Sequence, residues 1–426
     1  MLSFRLNYDD SKTHDINTTK KYSSKALKKL KVDVAAAKTQ MDDHATGKLF
    51  PKYWKEFDPF RPEKAVVAKI GCTFNITNAW LKCFEILDHY GLIPDEVSDE
   101  FVHFDNAAFP GSFITSTHHF VATKRNWGDK YKWYGNSLIN ANGLNADPLE
   151  DKYKLYANYP ESWLMDTKTN GDVLVRENQQ AFKDKIGSDS DSNGKGKGKG
   201  KGKGKGKGNG KGKGVDLYTS DLGFDVSSDY NNQELIQAPA NIGQILSGIL
   251  TLRKGGSFIT KQYMTFEMIT VSVMYALSQL FDEFYLCKPI TSREANSETY
   301  LVGKGFKGAV AMDHPYVQAM LDRIEGTVPL QVPLFLAGEY PKAYFKDIVK
   351  ASREIFERQI LKINMDIDRC LACMDSQHRG NPHDDPVSIE FRKENEDMIN
   401  NWYKKMGIVP IDKADMLNMA DSYRQG

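Results

Sequence analysis

The sequence is poor in cysteine and has no hydrophobic run long enough to cross a bilayer. Five cysteines are scattered over 426 residues, and a chain of this length does not need disulfides to hold its core. We therefore expect free thiols and a reducing compartment. The most apolar stretch, FEMITVSVMYALSQLF at 266–281, is too short to span a membrane and includes Glu267. It predicts a buried or half-buried helix, and no membrane association is expected.

The amino-terminal stretch MLSFRLNYDDSKTHD also lacks the apolar core of a secretory signal peptide. Together with the low cysteine content, this predicts an intracellular protein. A hydrophobic content of 40% is ordinary for a globular protein. Most of the chain is therefore expected to fold.

The chain has no overall excess of charge, but one segment is strongly basic. The net charge is +1, whereas residues 194–214 alternate glycine with lysine and contain nine lysines and no acidic residue. Without this run, the chain carries 48 Lys and Arg against 56 Asp and Glu. The folded part is therefore expected to be acidic, and a polyanion would have to bind a local basic patch or the run itself.

The Gly-Lys run has no apolar face and high backbone entropy, so it cannot pack. It predicts a flexible insertion at 194–214, before the strand-like segment DLYTSD. Two interpretations stay open. The run is either a solvated insertion that folding and chemistry do not need, or a tether that holds nucleic acid through salt-dependent phosphate contacts.

Composition divides the chain into three regions. Residues 1–65 predict an N-terminal extension, with helix-forming composition at 24–45. Residues 66–312 alternate strand-like and helix-like segments, which is the pattern of an α/β sheet built from βαβ units. Residues 313–426 predict a helical C-terminal region, most clearly at 343–374.

Charged residues stand where ligands bind in such sheets, at the carboxyl ends of strands. Asp105 closes EFVHFD, Asp221 closes DLYTSD, and Lys261 lies at the end of GSFITK. Glu298 precedes the strand-like ETYLVGKGF, and Lys82 lies on the helix-like segment 78–90. These residues could converge on one cleft, but composition alone does not show that they do.

Six segments occur along the chain in the order TNAWLKCFEIL, HFDNAAFPGSFI, TNGDV, DLYTSDLGFD, GGSFITKQY and KPITSREANSETYLVGKG. Over roughly residues 66–308 they resemble the motifs of FtsJ-like RNA ribose 2′-O-methyltransferases. The match is closest to the cap-specific mRNA enzymes of eukaryotes and large DNA viruses. The context AWLKCFEI is most similar to enzymes that methylate the second transcribed nucleotide. The resemblance implies a Rossmann-like S-adenosylmethionine-dependent methyltransferase sheet with helices on both faces, and helical extensions at both termini.

The resemblance places the family's catalytic tetrad on Lys82, Asp221, Lys261 and Glu298. It implies that Lys261 is the general base for the ribose hydroxyl, with a pKa lowered by Lys82 and by partial burial. Asp221 and Glu298 would orient the ammonium groups, and no metal is expected. Simpler roles stay open: a turn cap for Asp221, an ion pair with Arg293 for Glu298, and an exposed helix position for Lys82.

The resemblance also implies an S-adenosylmethionine site. The loop after EFVHFD would surround the methionine part of the cofactor, and the acid of NGDV would bind the adenine amino group. This loop lacks the family's usual glycine-rich form, and no residue is identified for the cofactor ribose. The implied cofactor residues are Asp105, Ala107, Ala108, Pro110, Gly111, Ser112, Phe113, Asp172 and Asp221.

Cys370 and Cys373, followed by His378 and His383, raise the question of a zinc site. The two cysteines lie within a helical pattern, and the spacings do not match a zinc finger. Helix packing is the favoured interpretation of these cysteines.

The resemblance implies 2′-O-ribose methylation of capped mRNA near its 5′ end, with other capping or transcription proteins as partners. Two other hypotheses stay open. One is the same chemistry on ribosomal or transfer RNA, and the other is an inactive methyltransferase-like module that binds RNA or assists assembly. A viral protein would work in a cytoplasmic viral factory or the virion, and a cellular one in the nucleus.

Overall fold

The computed structural model describes most of the chain. Nine strands are present among the described residues: β1 (Leu2–Arg5), β2 (Phe101–Asn106), β3 (Tyr131–Asn136), β4 (Ile139–Asn140), β5 (Gly143–Leu144), β6 (Val215–Ser220), β7 (Leu252–Gln262), β8 (Phe281–Lys288) and β9 (Thr299–Phe306). The described residues are 1–7, 14–45, 48–61, 76–140, 143–144, 151–165, 170–192, 214–224, 226, 229, 232–308, 310–376, 381–412 and 415–417.

Helices surround these strands. In chain order they are α1 (Lys25–His44), α2 (Phe50–Trp54), α3 (Asn78–Tyr90), α4 (Ser112–Phe120), α5 (Leu155–Asn158), α6 (Arg176–Ser192), α7 (Gln233–Thr251), α8 (Met268–Leu280), α9 (Pro315–Ile324), α10 (Lys342–Asp375) and α11 (Pro386–Met406).

Seven of the strands form one mixed sheet in the order β1-β8-β9-β7-β6-β2-β3. Strands β3, β2, β6 and β7 are parallel to one another, whereas β9 runs antiparallel between β7 and β8. The α/β fold is therefore confirmed, but a pattern of βαβ units throughout is wrong for the last strand, β9. No helix lies in the connection 289–298, every residue of which is described. Without a crossover, β9 pairs antiparallel with β8.

Both faces of the sheet are covered, as expected. Side chains alternate along each strand, so Leu217 packs in one apolar cluster with α3 and α4 while Tyr218 packs in another with α7 and α8. Ile259 and Phe258 divide between the two clusters in the same way. All six residues of β6 are buried. The centre of the sheet is therefore a rigid support for the loops at the ends of its strands.

Local sequence explains where several helices begin and end. Helix α3 begins after Thr77, whose side chain accepts a hydrogen bond from the amide of Trp80, and it ends at Gly91 in the left-handed region with φ 58°. Helix α1 begins after Ser24, which caps it in the same way. Helix α8 is buried along most of its length, as the apolar run predicted. Within the part of the chain that the structure describes, no helix is both long and apolar enough to span a bilayer.

The terminal regions pack onto this centre. Strand β1 adds an antiparallel edge strand beside β8, which the sequence did not predict. Helix α1 lies along α10, and α2 contacts the same helix. The boundaries near residues 65 and 312 stay predictions. The predicted flexible run lies outside the described residues, except for Gly214.

The cysteines behave as expected. Cys83, Cys287, Cys370 and Cys373 are buried free thiols, while Cys72 lies outside the described residues. Cys370 and Cys373 of α10 pack in a third apolar cluster with α2 and α11, which confirms the helix-packing interpretation. His378 also lies outside the described residues.

Candidate active site

The register of the strands brings the predicted charged residues to one edge of the sheet. Ser220, the last residue of β6, pairs with Thr260 of β7, and Gln262 of β7 pairs with Thr299, the first residue of β9. Because β9 is antiparallel, it begins where β6 and β7 end. Asp221 follows Ser220, Lys261 follows Thr260, and Glu298 precedes Thr299. These three charged residues therefore share this edge of the sheet.

A cavity of about 690 Å³ opens at the carboxyl ends of β2 and β6. After β2 the chain continues to β3 on one side, and the later strands lie on the other side. Such a point, where the strand order changes direction, is the usual ligand site of an open α/β sheet. Predicted cofactor residues that line the cavity are Asp105, Ala107, Ala108, Pro110, Ser112, Phe113, Asp172 and Asp221.

Gly111 is the exception among the predicted cofactor residues. It is not part of the cavity lining. Its φ is +120°, and a Cβ added there would lie 2.3 Å from Cδ1 of Leu155 in α5. The resemblance implies that the turn at Pro110 and Gly111 lets the backbone approach the cofactor, and this role stays a prediction. In the structure, Gly111 lies in the turn before α4 and packs against α5.

Asp105 is buried at the base of the cavity and is held by a short hydrogen-bonded chain. Its Oδ1 accepts from Thr219 Oγ1 at 2.6 Å, and Thr219 Oγ1 lies 2.7 Å from Nε2 of His103. Thr219 therefore links the carboxyl group of Asp105 to the ring of His103. Burial raises the pKa of Asp105 well above its usual range and lowers the pKa of His103 to about 3. His103 is therefore neutral at physiological pH.

The four residues of the predicted tetrad lie in one neighbourhood as two ion pairs. Lys82 pairs with Oε1 of Glu298. Lys261 Nζ lies 3.2 Å from Oδ1 of Asp221 and donates to the carbonyl oxygen of the same residue at 2.7 Å. Side chains of both pairs are largely buried. The convergence expected from the sequence is therefore present.

Tyr300 joins the two pairs. Its phenolic oxygen lies 2.8 Å from Oδ1 of Asp221 and 3.0 Å from Oε1 of Glu298. In β9, Tyr300 pairs with Lys261 of β7. Glu298 stands two residues before Tyr300, so the two side chains point to the same face. Sequence reasoning missed this tyrosine, although its spacing from Glu298 in SETYLV could have indicated it.

The electrostatics of the site differ from the expectation in one respect. Burial alone would lower the pKa of Lys261, but the carboxylates of Asp221 and Glu298 outweigh it and raise that pKa above its usual range. The predicted net lowering by Lys82 and burial is therefore wrong for this arrangement. The carboxylate of Asp221 lies 3.2 Å from the amine of Lys261, and its attraction, together with that of Glu298, outweighs the effect of burial. Burial also opposes ionisation of Glu298, yet Lys82 and Lys261 lower its pKa to about 2.

Gly223 leaves room for the amine of Lys261. A Cβ added to this glycine would lie 2.3 Å from Oη of Tyr263 and 3.0 Å from Nζ of Lys261. The ammonium group of Lys261 also lies 5.5 Å from the centre of the Tyr263 ring. The glycine after Asp221 therefore permits the close contact between this loop and the end of β7.

Sequence reasoning missed other parts of the cavity wall. Ser137 and Leu138 follow β3, and Phe224 follows Gly223. Leu138 and Phe224 are exposed apolar side chains. The alternating aromatic residues of YKWYGN could have indicated β3, and with it a loop at the same edge of the sheet.

The cavity fits S-adenosylmethionine. Asp221 offers a carboxylate to a cation of that molecule, Asp105 presents a buried carboxyl group at the base of the cavity, and Asp172 can accept from an amino group. Leu138 and Leu174 line the same cavity and offer apolar contact to a flat ring such as adenine. Among the described residues, we find no cluster of three or more His, Cys, Asp or Glu side chains that could hold a metal ion.

A mixed sheet with a cavity at the change of strand direction and a Lys-Asp-Lys-Glu cluster beside it is the arrangement that the resemblance to Rossmann-like methyltransferases implies. Residues 76–306 match the model of the FtsJ-like methyltransferase family. This match covers more than half of the chain, so the chain belongs to the FtsJ-like methyltransferase family.

Individual proteins share part of the sequence. A "Probable methyltransferase EP424R" of African swine fever virus is 33% identical over 252 residues, which cover 57% of this chain and 52% of that protein. A "Cap-specific mRNA (nucleoside-2'-O-)-methyltransferase 2" of Mus musculus is 28% identical over 290 residues, which cover 67% of this chain and 33% of that protein. The chain thus spans about half the length of the viral relative and a third of the mouse one.

Among solved structures, a putative ribosomal RNA methyltransferase of Plasmodium falciparum is 15% identical. The likeness covers 55% of this chain and 98% of that one, with a TM-score of 0.29. That score is too low to support an argument about fold or function.

Proposed function

We propose that this protein transfers the methyl group of S-adenosylmethionine to a ribose 2′-hydroxyl of capped mRNA, near the 5′ end. The observation that carries the proposal is the pair of buried lysine–carboxylate contacts, joined by Tyr300, directly beside the cavity. The name of the mouse relative supports the choice of a cap-proximal ribose. The context of Lys82 favours the second transcribed nucleotide.

The chemistry requires a base for the hydroxyl proton and a fixed approach of the ribose oxygen. S-adenosylmethionine supplies an electrophilic methyl group on a positively charged sulfur when it is bound. Lys261, in its neutral form, is the proposed acceptor of the 2′-hydroxyl proton. Asp221 holds the amine of Lys261 through both its carboxylate and its carbonyl oxygen. Fixing the attacking oxygen accounts for much of the proposed acceleration.

Because the pKa of Lys261 is raised, deprotonation of its amine depends on the charges around it. The ammonium form dominates as long as the charge of Asp221 is not neutralised. A positive charge placed beside Asp221 opposes that form and moves the pKa of Lys261 back towards neutral pH. Lys261 would thus become able to accept a proton when a positively charged ligand fills the cavity. The pair Lys82–Glu298 orients the opposite side of the ribose site in this proposal.

The test compares Lys261→Ala with Lys254→Ala in a tritiated-methyl transfer assay on a short capped oligonucleotide. Lys254 lies on the same strand and is exposed at its other end, so it is a matched control. We expect K261A to lose at least about a hundredfold in rate and K254A to keep the wild-type rate. Affinity for S-adenosylmethionine, measured by calorimetry, should survive in K261A because Lys261 does not line the cavity. Full activity of K261A would refute the assignment of the base.

The choice of RNA is tested with matched substrates. Capped and uncapped transcripts of one sequence should differ strongly in methyl acceptance, and mapping of the product should place the methyl group on the second transcribed nucleotide. Equal use of both transcripts would favour ribosomal or transfer RNA. Absence of cofactor binding would favour an inactive RNA-binding module.

A cap substrate also indicates where the protein would work and what it would contact. Capped transcripts are made in the cytoplasmic factory or virion of a large DNA virus, or in the nucleus of a cell. Partners would then be other capping or transcription proteins. Crosslinking in extracts that synthesise capped RNA would test this part of the proposal.

A further inference from the structure

The connection between β8 and β9, residues 289–298, delivers Glu298 to the site and is here called the Glu298 loop. It contains neither helix nor strand, so a regular backbone hydrogen-bond ladder does not define its shape. Four buried polar side chains from outside the loop hold it instead. One comes from the end of β8, one from α3 and two from α10.

Lys288, the last residue of β8, fixes the peptide of Glu298. It is 4% exposed, and its Nζ donates at 2.9 Å to the carbonyl oxygens of Asn296 and Glu298 and to Oδ1 of Asn296. The same Oδ1 accepts from the amide of Glu298 at 3.2 Å. The carbonyl oxygen and the amide of Glu298 are therefore both hydrogen-bonded.

Glu85 ties the first half of the loop to the helix that carries Lys82. Its Oε1 accepts from the amide of Ile290 at 2.9 Å. Its Oε2 accepts from the amide of Thr291 at 3.0 Å and from the hydroxyl of the same residue at 2.8 Å. Because Glu85 lies three residues after Lys82 on α3, these hydrogen bonds fix the loop to the part of the helix that carries Lys82.

Helix α10 holds the second half of the loop. Gln359 is fully buried, and its Nε2 donates to the carbonyl oxygen of Ala295 at 3.1 Å and lies 3.0 Å from Oγ of Ser297. About two turns further along, the buried carboxylate of Asp366 accepts from Arg293 at 3.0 Å. A buried amide is costly unless it is hydrogen-bonded, so these contacts define the position of the loop relative to the helix.

We propose that α10, which lies outside the segment matched to the family, is a positioning element of the active site, with Gln359 as the positioning residue for Glu298. This inference rests on the proposed function. Glu298 must meet Lys82 and Tyr300 at the same time, and small displacements of such groups are costly to catalysis. The C-terminal helical region thereby contributes to chemistry without touching the substrate.

The test uses Gln359→Met in the full chain, because methionine keeps the length of the side chain and removes both hydrogen-bonding groups. Leu361→Ala is the matched control, since Leu361 is on the same helix and 61% exposed. Hydrogen–deuterium exchange should increase in the Glu298 loop of Q359M only. We expect kcat to fall about tenfold, while affinity for S-adenosylmethionine changes by less than about twofold, because the loop does not line the cavity.

A change in pH dependence separates a positioning role from a general loss of stability. Glu298 contributes to the raised pKa of Lys261, so displacing Glu298 should shift the rising limb of kcat against pH to lower pH. Ser297→Ala removes the partner of Gln359 from the loop side and should reproduce the effect if Q359M folds poorly. If hydrogen–deuterium exchange in the Glu298 loop of Q359M is unchanged, the inference is overturned, whatever the activity of the variant. Increased exchange with unchanged kcat also overturns it, whereas an inactive wild-type protein overturns the proposed function instead.

Discussion

Tyr300 donates a buried hydrogen bond to Asp221, with 2.8 Å between the phenolic oxygen and Oδ1 of the carboxylate. The same oxygen lies 3.0 Å from Oε1 of Glu298. Burial and the two carboxylates raise the pKa of Tyr300 well above its usual range. The phenol therefore keeps its proton and separates the two like charges of Asp221 and Glu298.

Replacing this phenol should weaken catalysis without unfolding the protein. Tyr300→Phe keeps the ring, which stacks near Phe113, and removes the donor that serves the two carboxylates. A hydrogen bond to a charged group is worth about 1.5–3 kcal/mol, so we expect single-turnover methyl transfer to slow by about tenfold to a hundredfold. Wild-type rates in Y300F would show that the tyrosine has only a packing role.

The raised pKa of Lys261 predicts how activity depends on pH. Since the neutral amine is scarce, the single-turnover rate should rise by about tenfold per pH unit between about pH 6 and about pH 9. Glu298→Gln removes one of the charges that raise this pKa. The single-turnover rate of E298Q should therefore begin to rise at a lower pH than that of the wild type, although its maximum rate is lower. A rate independent of pH in the wild type would contradict the role of Lys261 as base.

Gly223→Ala tests the position of Lys261 without replacing any charged residue. In Gly223→Ala, the new methyl group would lie 2.3 Å from Oη of Tyr263 and 3.0 Å from Nζ of Lys261, so the tyrosine must move and the amine of Lys261 is crowded. We expect kcat to fall by about tenfold or more. Gly338→Ala is the control, because a Cβ added there meets nothing within 4 Å. Equal kcat values for the two variants would show that Lys261 tolerates the displacement.

Asp172 tests the adenine end of the cavity. Its Oδ1 accepts from the amide of Leu174 at 2.9 Å, so alanine would lose both this turn contact and the proposed bond to the cofactor. Asp172→Asn can keep the turn contact while losing the charge. We expect the Kd for S-adenosylmethionine to rise about tenfold in D172A and less in D172N, measured by calorimetry. An unchanged Kd in D172A would remove Asp172 from the cofactor site.

The Gly-Lys run should not be needed for chemistry on short substrates. It rejoins the described chain at Gly214, just before β6, whereas Asp221 follows the other end of that strand. The strand spans about 20 Å, so the junction lies far from the cavity. Deleting 194–213 should leave kcat on a short capped oligonucleotide unchanged. With long RNA at low salt, KM should rise if the run is a tether, and an unchanged KM would favour a dispensable insertion.

Much of the fold could be predicted because its causes are local. The helix at 78–90 follows from its cap at Thr77 and its stop at Gly91, and the buried helix at 268–280 follows from its apolar composition. Strand β1 was missed because four residues carry little pattern. Its existence depends on pairing with β8, which is remote from it along the chain.

The sequence by itself indicated the α/β class through its alternation of strand-like and helix-like segments, and its resemblance to FtsJ-like methyltransferases indicated the order of the motifs and the four residues of the proposed tetrad. Only the tertiary structure decided the antiparallel insertion of β9, the bridge made by Tyr300 and the anchoring of the Glu298 loop by Gln359. It also decided the direction of the pKa shift of Lys261. Each of these depends on distances between groups that are remote along the chain, and Coulomb and hydrogen-bond energies depend on distance rather than on sequence order.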